Sequence, residues 1–417
     1  MRVLLINKYF FVKGGSETYF FGLRELLHKN GHELIEISMK DKRNIYSSYS
    51  DYFVENIDYS DKSCFKKLVN GLKAIYSREA YKKLLKLIKV SQPDIAHVNL
   101  FCHQLTPSIF HALKKSNIPV VYTSHDYKII CPNYKLFTKG SVCQKCLPGK
   151  YYNCVLNKCH KNSLMGSIIV TIETYLHQLL NSYNLPDYII CPSRFMYKLF
   201  VKSGIKEEKI IRLHNFLSES IYKEKDRYAG LERENTILYI GRLSEEKGLY
   251  CLLDAKKNLS ADVKLKIIGT GPEQQRLREK VRNDCIQNVE FLGFMSGDNL
   301  YKEMACSKCT VIPSVCYEIF GLAVIESFAF GTPVIGSRIG GIPELIQEGI
   351  NGYLFEANNS DELCGKIRLL LSLSSRDYSD MANNCRRSAE SYSPERFYNA
   401  LLDIYKDALK IKNNQGG

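Results

Sequence analysis

The hydrophobic pattern falls into short unbroken apolar runs separated by longer stretches in which apolar residues recur at helical spacing. Residues 2–7 read as a strand buried on both faces. An amphipathic helix follows a glycine-bearing loop and runs to about Asn30, where Gly31 is placed to end it. Further strands are expected over 32–38, 94–99, 120–123 and 185–191, with Pro192-Ser193-Arg194-Phe195 opening the helix after the last. In the second half the runs are 236–240, 264–269, 289–294, 309–312, 334–335 and 353–355. Strands alternating with helices about every 25–30 residues are the rhythm of parallel βαβ units. The expected fold class is therefore α/β, with two Rossmann-like, doubly wound domains over 1–216 and 235–392. Residues 217–234 are charged and aperiodic, as a linker should be. Ser393-Pro394-Glu395 is a helix start with proline at its first position; the helix should run to about residue 411, leaving 413–417 as a disordered tail.

A chain of 417 residues exceeds what one core supports, which agrees with two domains. No run reaches the roughly 18 apolar residues of a membrane-spanning helix. The N-terminal apolar run is too short for a signal peptide, so a cytoplasmic protein with mostly reduced thiols is expected. Charge is lopsided: residues 1–190 hold 26 Lys and Arg against 14 Asp and Glu, the remainder 32 against 30. A nucleic-acid binder or an enzyme of an anionic, membrane-bound substrate would both carry such an excess. Residues 62–90 contain nine basic side chains and one acid, Glu79, on helical spacing. They read either as a solvated domain helix or as an interfacial helix drawn to anionic lipid.

Candidate chemistry concentrates in residues 311–331. The apolar run there stops at Pro313, a loop continues to Phe320, and from Gly321 a helical pattern sets Leu322, Ile325 and Ala329 on one face. A strand, turn and helix in this order present free backbone N–H groups at the C-terminal edge of a parallel sheet, which suits an anion. Glu318 lies in the loop and Glu326 in the helix. A carboxylate repels phosphate but accepts hydrogen bonds from vicinal hydroxyls of a ribose or hexose. An anion site with two such acceptors points to a nucleotide-diphosphate sugar. Residues 241–248 follow another strand and carry Arg242 and Lys247, which could clamp a diphosphate and neutralise charge on a leaving group. A surface loop with ordinary charges is the plainer alternative. His125 ends the 120–123 strand, where groups face the ligand crevice of an open sheet. His97 and His103 lie in no comparable motif. Gly14 and Gly15 let the backbone approach a ligand or simply make a turn, with Ser16 placed to cap the helix behind them.

Glu318 and Glu326, with seven residues between them, resemble the Glu-x7-Glu signature of retaining glycosyltransferases of GT-B fold, in particular glycosyltransferase family 4. The similarity extends to residues 241–248, His125-Asp126, Gly331-Thr332-Pro333, Gly340-Gly341-Ile342-Pro343-Glu344 and Asn351-Gly352. Residues 211–216 resemble the family's turn before the second domain, with His214 where proline is usual. The resemblance implies a first domain that binds acceptor, a second that binds donor, and a C-terminal helix over 393–412 crossing back to the first. It implies that Arg242, Lys247 and the backbone of Phe320, Gly321 and Leu322 hold the diphosphate, that Glu326 binds ribose, and that Glu318 and His125 orient the transferred sugar. His125, Glu318, Arg242 and Lys247 form the implied catalytic set. The base is expected near Gly293 and Phe294, with Gly14 and Gly15 facing the donor. Attack would come from the leaving-group face, assisted by the leaving phosphate, with no catalytic cofactor. The absence of any Asp-x-Asp triplet argues against a metal-dependent GT-A enzyme.

Cys131, Cys143, Cys146, Cys154 and Cys159 cluster within an insertion over 131–160, and Cys143-Gln-Lys-Cys146 has metal-ligand spacing. A structural zinc, free thiols and redox chemistry are the open readings. A subset of family 4 shows similar cysteine elements, which implies Cys131, Cys143, Cys146 and Cys159 as the zinc set. The expected function is transfer from a UDP- or GDP-sugar to a glycan or polyprenyl-diphosphate-linked acceptor in cell-surface polysaccharide synthesis. The expected location is cytoplasmic and peripheral on the inner membrane face, with no nucleic acid bound. A nucleotide-sugar epimerase of the same fold, or a zinc-containing basic nucleic-acid-binding protein, is the rival reading.

Overall fold

The computed structural model describes residues 1–57, 71 and 74–415. Residues 62–70 and 72–73 of the expected cationic helix, and Gly416 and Gly417 of the expected tail, lie outside the described residues. The later part of the cationic stretch forms the helix Arg78–Ser91, whose cap Ser77 accepts from Ala80 N at 3.1 Å. Two compact units divide the chain: Met1–Lys139 with Cys143–Leu213 and Tyr398–Gly417, and Gly140–Val142 with His214–Phe397.

The first unit is built on a six-stranded, all-parallel sheet. Its spatial order is Glu33–Ile37, Arg2–Ile6, Ile95–Val98, Val120–Thr123, Tyr188–Cys191, Ile210–Arg212. Val3, Leu4, Leu5 and Ile6 are all solvent-free, as strands covered on both faces by helices must be. The helix Gly15–Lys29 ends where Gly31 takes a φ of 75° and donates to the His28 carbonyl. It begins at Gly15 with Gly14 as its cap, so Ser16 is not the cap; its hydroxyl instead bonds Glu17 Oε1 at 3.0 Å. The C-terminal helix Pro394–Gln415 contributes Leu401, Tyr405 and Ala408 to buried positions, and Tyr405 Oη bonds His97 Nδ1 at 2.6 Å. The helix extends through residues 413–415, which composition alone assigns to a loose tail.

The second unit repeats the architecture with the order Val289–Gly293, Lys264–Ile268, Glu234–Ile240, Ser307–Ile312, Val334–Ser337, Gly352–Phe355, again parallel throughout. Side chains alternate between its two cores: Ile237 and Tyr239 enter one, Leu238 the other. Residues 217–234 differ from the expected linker. Leu217 and Ile221 are buried in the second unit's core, and the helix Glu219–Glu224 starts where Ser218 Oγ accepts from Ile221 N at 3.3 Å. Two apolar residues four apart suffice to dock this turn, and the surrounding charges mask them in the sequence. Arg233 is likewise structural. Its guanidinium donates to the Ser307, Phe330 and Gly331 carbonyls and to Thr332 Oγ1 at 2.7–2.9 Å.

Candidate active site

The sheet order of the second unit decides where a ligand can enter. From the Glu234–Ile240 strand the chain fills one side of the sheet, then returns through Ser307–Ile312 to fill the other. A crevice opens at the C-terminal ends of two such strands. Glycines bring the loops leaving these ends into backbone contact. A Cβ on Gly248 (φ 68°) would lie 1.8 Å from the Pro313 carbonyl oxygen, and one on Gly340 (φ 62°) 2.4 Å from the backbone N and O of Glu318. Hydrogen bonds tie the same loops together, from Val315 N to the Glu246 carbonyl at 3.0 Å and from Gly341 N to the Glu318 carbonyl at 2.7 Å.

Within this frame Lys247 Nζ meets Glu318 Oε1 at 2.6 Å, and Ser314 Oγ donates to the same carboxylate. The two residues that the sequence assigns separately to phosphate and to sugar are partners of each other. Burial pulls the Lys247 ammonium down, but Glu318, Cys316 and Tyr239 together outweigh it and raise the group above the usual lysine range. Arg242 is exposed in the same loop. The helix Leu322–Ala329 begins behind Gly321 (φ 114°) with no side-chain cap. Val324 N donates to the Gly321 carbonyl at 3.0 Å, and no side-chain oxygen caps the helix start, a place that suits an anion. The Phe320 side chain turns inward against His214 and Tyr392, with centroids 5.6 and 5.8 Å away, which leaves only its backbone to serve a ligand. Leu322 and Glu326 are half-buried, and burial pushes the Glu326 carboxyl up to about 7. Gly293 (φ 74°) ends its strand in open space, its carbonyl accepts from Gly269 N at 2.7 Å, and Phe294 beside it is 68% exposed.

In the first unit the corresponding switch point lies between the Arg2–Ile6 and Ile95–Val98 strands. His125 Nε2 donates to Asn99 Oδ1 at 2.9 Å and packs edge-on against Tyr19 at 4.7 Å. Burial lowers this imidazole to about 3, so it is neutral and its other nitrogen is an acceptor. His97 is locked between Tyr405 Oη and Thr123 Oγ1 at 2.6 and 2.7 Å, a core role. Gly14 is extended (φ −176°), with a Cβ position 3.8 Å from Glu17 Oε2, and caps the helix through its carbonyl. Asn99, Tyr19 and Ser314 carry no motif of their own; only their position at strand and helix ends marks them.

Among the described residues no group of three or more His, Cys, Asp or Glu side chains is arranged to hold a metal ion, which includes the expected set Cys131, Cys143, Cys146 and Cys159. These four thiols are neighbours all the same. Burial, and then the charges of Cys131, Cys159 and Cys143, push the Cys146 thiol up to about 12. A hydrogen bond from Cys154 holds the Cys159 thiol down at about 6, and the same bond with burial pushes Cys154 up. Cys146 and Cys154, with Cys159 against them, pack with Tyr151 and Val170 as a small core.

A family model described as Glycosyltransferase Family 4 matches residues 13–220, and one described as Glycosyl transferases group 1 matches 222–391. The chain belongs to glycosyltransferase family 4. This glycosyltransferase is 29% identical over 426 aligned residues, 96% of each chain, to an uncharacterised glycosyltransferase of Methanocaldococcus jannaschii. It is 31% identical over 221 residues to N-acetyl-alpha-D-glucosaminyl L-malate synthase of Bacillus anthracis, covering 50% of this chain and 57% of that one. Among solved structures, Anabaena HepE in complex with UDP-glucose matches it with a TM-score of 0.68 at 17% identity, over 98% of this chain and 100% of that one. Sucrose-phosphate synthase from Thermosynechococcus elongatus matches with a TM-score of 0.72 at 16% identity, over 98% and 99%. The fold is GT-B, two parallel-sheet α/β domains, as the resemblance implies.

Proposed function

We propose that this glycosyltransferase moves a hexosyl group, with retention of configuration, from a nucleotide-diphosphate sugar to a glycan or polyprenyl-diphosphate-linked glycan in cell-surface polysaccharide synthesis. The observation that carries the reading is the convergence at one strand-end crevice of Arg242, the Lys247–Glu318 pair and the uncapped start of the Leu322–Ala329 helix. A diphosphate entering there meets backbone N–H groups, the helix dipole and two cations. Binding charge near Lys247 loosens its hold on Glu318, whose freed oxygens then accept from sugar hydroxyls. Glu326 accepts from the ribose, and the base lies along Gly293 and Phe294. His125, neutral and fixed by Asn99, orients the transferred sugar, with Gly14 and Gly15 contributing backbone. The relatives that support this substrate class include a lipopolysaccharide 1,2-N-acetylglucosaminetransferase of Salmonella typhimurium, 29% identical over 214 residues covering 45% of this chain and 55% of that one. Domains over 1–216 and 235–392 would divide acceptor and donor binding.

The chemistry asks little of covalent catalysis. Orientation of the acceptor hydroxyl and stabilisation of the departing diphosphate supply the rate, and the departing oxygen takes the acceptor's proton on the same face. Product analysis by proton NMR tests the stereochemistry. A product with the donor's anomeric configuration is expected; the opposite anomer, or epimerised donor with no acceptor modified, contradicts the proposal.

A further inference from the structure

The helix Leu164–Leu179 is turned inside out. Its buried positions are Ser167, Val170, Thr171, Glu173, Thr174 and His177, all polar but Val170. Internal contacts serve them in place of water: Glu173 Oε2 accepts from the solvent-free Lys128 Nζ at 2.8 Å, and His177 bonds the Ile75 carbonyl at 2.7 Å and Ser182 Oγ at 2.9 Å. The outward positions are apolar, with Leu164 51%, Met165 63%, Ile172 52% and Leu179 84% exposed, and Tyr175 and Leu180 exposed beside them. A helix on the surface of a water-soluble domain normally shows the reverse. The apolar face continues onto the short helix Asn153–Leu156. Tyr152 N donates to Tyr175 Oη at 3.3 Å, and both Tyr152 and Leu156 are exposed.

The charge around this face has one sign. Residues 127–186 hold Lys128, Lys135, Lys139, Lys145, Lys150, Lys158 and Lys161 against a single acid, Glu173. Lys128 and Glu173 neutralise each other inside the fold. What the stretch offers to solvent is therefore wholly cationic, with Lys139, Lys145, Lys150, Lys158 and Lys161 exposed. We propose that this face docks on an anionic lipid surface, its leucine, isoleucine, methionine and tyrosine side chains entering the headgroup boundary while the lysines meet anionic headgroups. A protein partner would need acids of its own to match the rim and a shaped pocket for the row; a bilayer supplies both apolar depth and charge without register. The face shares no residue with the donor crevice, and the helix that carries it packs on Gly71 and Ile75 of the basic stretch.

Co-sedimentation of the full chain with phosphatidylglycerol-containing vesicles, and with pure phosphatidylcholine vesicles, tests the proposal at low and high salt. Wild type should bind the anionic vesicles. The triple variant Met165→Gln, Ile172→Gln, Leu179→Gln should bind them at least about tenfold more weakly, since three apolar side chains no longer leave water. Its melting temperature and nucleotide binding should be unchanged, because these positions are solvent-exposed. Failure of wild type to bind, or equal binding by the variant, overturns the proposal. So does a wild-type dimer in sedimentation equilibrium that the variant dissolves while lipid binding persists, which would make a second copy the occupant.

Discussion

At the scale of single residues, the proposed donor site sets two carboxylates in opposite circumstances. Glu318 is paired with Lys247, whereas Glu326 stands in a half-buried place that raises its carboxyl to about 7. A carboxyl whose folded pKa lies above its unfolded value binds extra protons in the native state, so its contribution to stability falls as pH rises from about 4.5 to about 7. Glu326→Gln should therefore gain on the order of 2 kcal/mol relative to wild type between pH 5 and pH 8, read by denaturant melts at both values. Lys247→Ala should lower kcat by about 100- to 1000-fold, the usual cost of removing a donor to developing charge, with a smaller change in KM. Wild-type kinetics in Lys247→Ala would remove it from the site. The residues of this site are legible by spacing, because two glutamates with seven residues between them, set around the start of a helix that follows a strand, seldom arise from ordinary surface composition. The pairing of Lys247 with Glu318 is not legible, because a contact between residues 71 positions apart is a property of the sheet order.

At the scale of elements, glycine positions decide which loops can touch. Gly248 and Gly349 share a left-handed backbone, but a Cβ at Gly248 would strike the Pro313 carbonyl at 1.8 Å while one at Gly349 meets nothing within 4 Å. Gly349→Ala should cost about 1 kcal/mol of backbone strain. Gly248→Ala should cost more, roughly 2–4 kcal/mol, and should also weaken nucleotide binding by pushing the Arg242–Lys247 loop away from the Ser307–Ile312 strand end. Thermal melts with and without nucleotide check both, and equal losses for the two variants would contradict the packing argument. The hydrophobic pattern identifies both parallel sheets except the edge strand Ile210–Arg212, which it reads into a turn over 211–216, because doubly covered strands are unbroken apolar runs and a three-residue edge strand is not. It misreads residues 217–234, where a docked turn depends on two apolar side chains among charges, and Ser16, where Gly14 caps the helix through its backbone. It also has no means to show which side of the Leu164–Leu179 helix faces inward, since burying polar residues on one side requires partners, Lys128 and Ile75, that are distant in the chain.

At the scale of the molecule, the first unit stores several neutral histidines. Burial pulls His97 and His125 to about 3 and His160 and His177 to about 4. The unfolded chain binds protons at these sites from about 6.5 downwards while the native protein does not, so stability is lost as pH falls through that range. Each contributes roughly 2 kcal/mol of loss by pH 5. Acid melts should therefore show the first unit failing before the second; simultaneous loss would contradict this.

The central claim is that the second unit's crevice holds a nucleotide diphosphate whose ribose Glu326 engages. Calorimetric titration of wild type and Glu326→Ala with UDP and with GDP tests it most directly. Binding of one nucleotide to wild type, weakened at least about tenfold in the variant as the loss of a charge-assisted hydrogen bond requires, is the predicted result. Binding of neither nucleotide, or equal binding by wild type and variant, contradicts it.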